Sequence, residues 1–189
     1  MKKNLTIMGL DLSLTGTGLV VIQNGELKRK ELIAVKTKGI ERLGNILALV
    51  KNAVTETTET IGRIDLAVIE DYSFGSRGCA IFSSGELGGV IRLYLYLEKN
   101  DFLLVSPATL KKYVAGKGNA DKDVMLKEVF KKWGQDFDDD NIADAYSLAR
   151  AGELFLQSDT KKLKTHELEV KKTLTDAKER YYSFMEGGE

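Results

Sequence analysis

The chain holds one cysteine, Cys79, one histidine, His166, and one proline, Pro107, in 189 residues. A lone cysteine excludes an internal disulfide framework. One cysteine and one histidine supply no structural zinc set, so any metal bound here is held by oxygen. Net charge is missing too. The 28 basic residues balance 28 acidic ones, so the field of the whole protein does not advertise a polyanionic partner, and binding one requires segregated positive charge. Lys28-Arg29-Lys30 and Lys111-Lys112 permit that, although a solvated face accounts for either run alone. No apolar run reaches spanning length and no signal-peptide cleavage pattern is present, which reads as a cytoplasmic protein with no membrane partner. What is there, 43% hydrophobic residues, is enough for one domain with its own core.

The stretch over 7–22 organises the rest. It reads as an apolar strand, a turn of Ser, Thr and Gly, and a second apolar strand, a hairpin pattern. Asp11 ends the first strand. An ionised carboxylate in a nearly buried strand needs a cation or several donors; the alternative is a turn cap that bonds its own backbone. Asn24-Gly25 marks a tight turn into a third strand over 26–36. Leu43, Ile46, Leu47, Leu49, Val50, Val54 and Ile61 then recur at helical spacing over 40–61, and Gly62 ends that helix. A strand over 64–70 follows and also ends on an acid, Glu70. Reached through a crossover helix, it is expected to lie parallel to the first strand. That sets Asp11 and Glu70 side by side at the C-terminal strand ends, where open sheets bind ligands. Two such carboxylates repel and raise each other's pKa unless a cation lies between them.

A polar loop with two aromatics, Tyr72 and Phe74, comes next, and a helix over 81–97 in which Gly85, Gly88 and Gly89 thin one side. Glycine there predicts close approach of another backbone, the sheet in preference to a second subunit. A fifth strand over 102–105 leads to a short helix over 108–114 bearing Lys111 and Lys112, then a helix over 121–133. Gly116-Lys117-Gly118 between them lacks P-loop spacing, but flanked by Lys111 and Lys122 it suits a positive rim for a DNA backbone. The last core helix opens within 136–146 and runs to about 156. Aspartates just before a helix cap it and complement its dipole. That does not account for Asp144, which shares a helical face with Asp140 and Asn141 and makes a third acidic corner. Residues 158–189 read as a charged, partly helical extension outside the core, disordered without a partner, and His166 within it receives no catalytic role.

In this order the blocks resemble the RuvC family of Holliday-junction resolvases, in the ribonuclease-H-like superfamily and in the manner of its phage-type members, over about residues 6–156. Gly9-Leu10-Asp11-Leu12-Ser13 with Thr17-Gly18 is similar to the first-strand motif, whose aspartate is a metal ligand. Val68-Ile69-Glu70 and the aromatic loop resemble the second motif, whose glutamate bridges the metals and whose loop aromatic wedges into the junction. Phe74 or Tyr72 would take that part, and Arg77 of the same loop is a further DNA-binding candidate. Ser106-Pro107, Lys111, Gly116, Gly118 and Lys122 are similar to the family's lysine-bearing segment, which contacts the backbone near the scissile phosphate; Lys112 and Lys117 stand beside it as DNA-binding candidates. Asp144-Ala145 looks like the end of the last motif. One position departs: three residues before the last aspartate, where the family usually has Asp or His, stands Asn141, preceded by Asp140. Either can supply a fourth oxygen.

The resemblance implies an α/β, ribonuclease-H-like fold over residues 1–157, with a mixed five-stranded sheet between helices on both faces. It implies a homodimer whose symmetry matches a four-way DNA junction. The reaction implied is phosphodiester hydrolysis with two Mg2+ or Mn2+ ions per site, held by Asp11, Glu70, Asp144 and one of Asp140 and Asn141, with Lys122 among the catalytic residues. The product implied is a pair of symmetric nicks with 5′-phosphate ends, and no nucleotide cofactor is expected. Two other readings stand beside this one. A junction-binding protein could have lost cleavage through Asn141. An actin-like or sugar-kinase-type ATPase shares the opening motif, but needs a second copy that these 189 residues lack.

Overall fold

Alternation of side chains along the first strands decides the architecture. The computed structural model describes residues 4–71 and 79–185, with the backbone alone at 79–84 and 184–185. Tyr72, Phe74 and Arg77 therefore lie outside the described residues. Strands β1 (Thr6–Asp11), β2 (Thr17–Gln23) and β3 (Glu26–Ile33) form an antiparallel meander. After α1 (Gly39–Ile61), β4 (Leu66–Glu70) pairs parallel to β1, and after α2 (Cys79–Leu97), β5 (Phe102–Val105) pairs parallel to β4. The sheet order is β3-β2-β1-β4-β5. Helices α3 (Pro107–Ala115), α4 (Lys122–Trp133), α5 (Asp140–Leu156) and α6 (Thr165–Met185) complete the described chain.

Because successive strand residues point to opposite faces, the sheet divides the interior in two. Ile7, Val20, Ile22, Val68 and Val105 pack under α3, α4 and α5. Met8, Leu10, Leu19, Val21 and Ile69 pack under α1 and α2. β3 stops at Ile33, short of the expected 36, because its one partner β2 begins at Thr17, directly opposite, and as the edge strand it carries charge. Its basic run is spent there: Lys28 pairs with Glu26, Arg29 with Glu31 and Glu56, and Lys30 lies over the Phe137 ring.

Helix α5 crosses the middle of the sheet at unusually short range. A Cβ built on Gly9 would lie 1.9 Å from the backbone oxygen of Ala145, and one on Gly18 would lie 2.1 Å from that of Asn141. Only glycine admits the helix at these two positions. Gly9→Ala is expected to cost about 3 kcal/mol, lowering the melting temperature by roughly 6–12 °C in a calorimetric scan. A melt within a degree of wild type would show that α5 does not bear on β1 in this way.

Two expectations change. Among the described residues no atom lies within 4 Å of where a Cβ on Gly85 or Gly89 would stand, so neither is in close contact with the described strands. The segment after 158 is also more integrated than its composition suggests. Val170 and Leu174 of α6 are each 1% exposed and belong to the core under α5, and the Tyr181 ring meets Phe102 edge-on at 5.3 Å.

Candidate active site

Strand register places the first two acids. Leu10 lies opposite Ile69 in the parallel β1–β4 ladder, so Asp11 and Glu70, one residue further on, finish neighbouring strands at the same end. Asp11 is only 8% exposed. It does not cap the turn that follows. Thr17 Oγ1 accepts from the Ser13 N–H at 3.1 Å and donates to the Ser13 carbonyl at 2.8 Å, which closes that turn without it. Asp11 instead donates, in its protonated form, a hydrogen bond to Glu70. Burial and then the Glu70 charge push Asp11 from the ordinary carboxylate range to about 8. Glu70 is raised as well, by burial first, although the bond from Asp11 opposes this.

The glycine-lined crossing of α5 brings the third acid. Asp144 immediately precedes Ala145, the residue seated on Gly9. Burial, then the charges of Asp11 and Asp140, push its carboxyl up to about 7. Three acids from β1, β4 and α5 thus share one desolvated place, and two lysines border it. Lys122 opens α4, donates to the Asp140 carboxylate, and its charge acts on Asp11, Glu70 and Asp144. Lys111 of α3 acts on Glu70 and Asp144.

The remaining candidates separate. Lys112 is tied to Glu169 of α6 at 2.6 Å. Lys117 is exposed in the loop after α3. That loop is no phosphate cradle at its first glycine: Gly116 adopts the left-handed conformation that ends α3, and its N–H is spent on the Lys112 carbonyl at 3.0 Å. Asp139, which sequence reasoning did not single out, is the residue that caps α5. Its Oδ1 accepts from the N–H groups of Asn141 and Ile142 at 2.9 and 3.2 Å, and from the Asn141 side-chain amide at 3.2 Å. Gly9 and Gly18 were the other residues whose part was missed. The signal for them was their place on strands facing a helix that itself carries Ala145, Ala149 and Gly152.

The donor set suits a hard divalent cation. All of its members are oxygens, and Asp11 and Glu70, both raised by burial, meet where a cation would favour the charged form of each. Among the described residues no three acids form a ready cage around one point. Magnesium does not ask for one, since it keeps several waters and takes one or two carboxylates together with substrate phosphate.

The sheet order, with acids delivered by β1, β4 and α5, defines a ribonuclease-H-like α/β protein. The family model for crossover junction endodeoxyribonuclease RuvC matches residues 7–151, and the chain belongs to that family. It is similar to the RuvC of Carboxydothermus hydrogenoformans, at 28% identity over 153 residues covering 77% of this chain and 94% of that one. It is also similar to the RuvC of Brachyspira hyodysenteriae, at 35% identity over 85 residues covering 45% of this chain and about half, 53%, of the relative. Among solved structures, Thermus thermophilus RuvC in complex with Holliday junction substrate matches with a TM-score of 0.64 at 21% identity, over 77% of this chain and 90% of that one. Among the described residues, no helix is long and apolar enough to cross a membrane.

Proposed function

We propose that this protein is a structure-selective endonuclease that resolves Holliday junctions and related branched DNA by hydrolysing phosphodiesters, leaving symmetric nicks with 5′-phosphate ends. The observation that carries this reading is the meeting of buried Asp11 with half-buried Glu70 and Asp144 at one end of a RuvC-family sheet. Two Mg2+ or Mn2+ ions, when bound, would stabilise the attacking and leaving oxygens of an in-line displacement. Asp11, Glu70 and Asp144 are the residues that would hold them. Lys111 and Lys122 neutralise the phosphate brought against those acids, and such contacts position a backbone without reading sequence. Exposed Lys117 extends the same rim, and the loop aromatics Tyr72 and Phe74, with Arg77, remain the candidates for contact with the branch point.

Resolution needs two incisions, hence two sites related by the symmetry of the junction. One face of α2 suits the pairing of two copies. Gly85, Gly89, Leu93, Tyr96 and Leu97 recur at helical spacing, and the last three are 58%, 64% and 66% exposed. Leu93→Glu is expected to turn a dimer into a monomer by light scattering and to leave single, uncoordinated nicks. A monomeric wild type that still makes paired nicks would sink this arrangement.

The function itself is tested on a synthetic four-way junction with Mg2+. Paired nicks at symmetric positions, lost on chelation and absent from linear duplex, are expected. Equal cutting of linear duplex, or cutting that survives chelation, would overturn the reading.

A further inference from the structure

Helical spacing alone leaves the fourth corner of the site open, because residues 140 and 141 both share a face with Asp144. Local bonding separates them. The Asn141 amide is fastened to Asp139 Oδ1, the atom that also takes the N–H groups of Asn141 and Ile142. Its backbone oxygen rests on Gly18, and its Nδ2 lies 3.6 Å from where a Cβ on Gly16 would stand. Asn141 is thus part of the helix cap and faces β2 and the turn before it. Asp140 turns the other way. Its carboxylate grips the ammonium of Lys122 at the rim of the acids.

We infer, resting on the nuclease reading above, that Asp140 and not Asn141 completes the acidic site, and that Lys122 occupies Asp140 until a divalent ion takes its place. Charge supports the assignment. With Asn141 as the fourth member the site would carry three carboxylates; with Asp140 it carries four, which balances two divalent cations. The handover is also inexpensive. The Lys122 side chain is 77% exposed, and exposed ion pairs of this kind contribute little, whereas a carboxylate on a hard cation is a direct bond. Once released, the same ammonium is free at the phosphate rim. The family's usual ligand position, three residues before the last aspartate, is then vacated in this chain, and its role passes one residue back.

The test reads metal binding to the full-length protein without DNA, by loss of the free-Mn2+ electron paramagnetic resonance signal and by titration calorimetry. Asp140→Asn is expected to weaken manganese binding by roughly tenfold or more, or to remove one equivalent. Asn141→Ala is expected to bind as wild type does, and Asn141→Asp to gain nothing. Lys122→Met, which removes the competitor, is expected to bind manganese a few-fold more tightly. Manganese binding that survives Asp140→Asn but fails in Asn141→Ala would overturn the assignment, as would weaker binding in Lys122→Met. A wild-type protein that takes up no manganese, indistinguishable from Asp11→Asn, would instead bring down the nuclease reading and this inference with it.

Discussion

Asp11→Asn is expected to slow cleavage of a four-way junction on the order of 10³-fold or more, while binding of the junction in the absence of divalent ions stays at wild-type strength or tightens. The loss follows from position. Asp11 ends the central strand, is 8% exposed, meets Glu70 through a side-chain hydrogen bond and acts by its charge on Asp144. Removing one ligand from a site whose cations stabilise both reacting oxygens forfeits several kcal/mol of transition-state stabilisation, and each 1.36 kcal/mol is tenfold in rate. Binding should not suffer, because the substitution deletes a negative charge facing phosphate. Single-turnover cleavage and gel-shift titration of the same preparation check the two halves. Turnover within a few-fold of wild type would end the argument for Asp11 as a ligand.

The second large effect is on stability. In the metal-free protein Asp11 and Asp144 keep their protons to about pH 8 and 7, whereas both would titrate at 3.8 if unperturbed. Between roughly pH 4 and 8 the folded state therefore binds more protons than the unfolded state, and stability falls as pH rises through that window. Asp140, Glu167 and Glu169 are held low by lysine partners. Their contribution is lost only as pH falls below the ordinary carboxylate range, outside this window. A divalent cation takes the place of the retained protons. Saturating Mg2+ is thus expected to raise the melting temperature little at pH 5.5 and by roughly 5 °C or more at pH 8. Asp11→Asn, relieved of the buried charge, should melt above metal-free wild type at pH 8 and respond weakly to Mg2+. A Mg2+ gain that is the same at both pH values, or a metal-free wild type that grows more stable from pH 5 to 8, would contradict this.

Much of the site was legible before any coordinates. Strand alternation and the crossover rule suffice to bring Asp11 beside Glu70, and helical spacing suffices to put Asp144 on a face with Asp140 and Asn141. What the pattern could not supply was direction at short range. Three consecutive aspartates, Asp138 to Asp140, precede α5, and propensity does not say which one caps it. The cap falls on Asp139, and that choice decides where its two neighbours point. Gly85 and Gly89 suggested contact with the sheet because a missing side chain shows only that space exists, not what fills it. α6 was hidden by its charge. Val170, Leu174, Ala177 and Tyr181 do form a stripe at helical spacing, but a composition of lysine and glutamate obscures it. The ion pairs of Lys112 with Glu169 and Lys132 with Glu167 show that part of this charge joins α6 to α3 and α4.

Crystals soaked in Mn2+ and measured for anomalous scattering probe the central claim most directly. Manganese peaks bounded by the carboxylates of Asp11, Glu70 and Asp144 are the predicted result. Peaks elsewhere on the protein, with none among these three residues at saturating manganese, would contradict it.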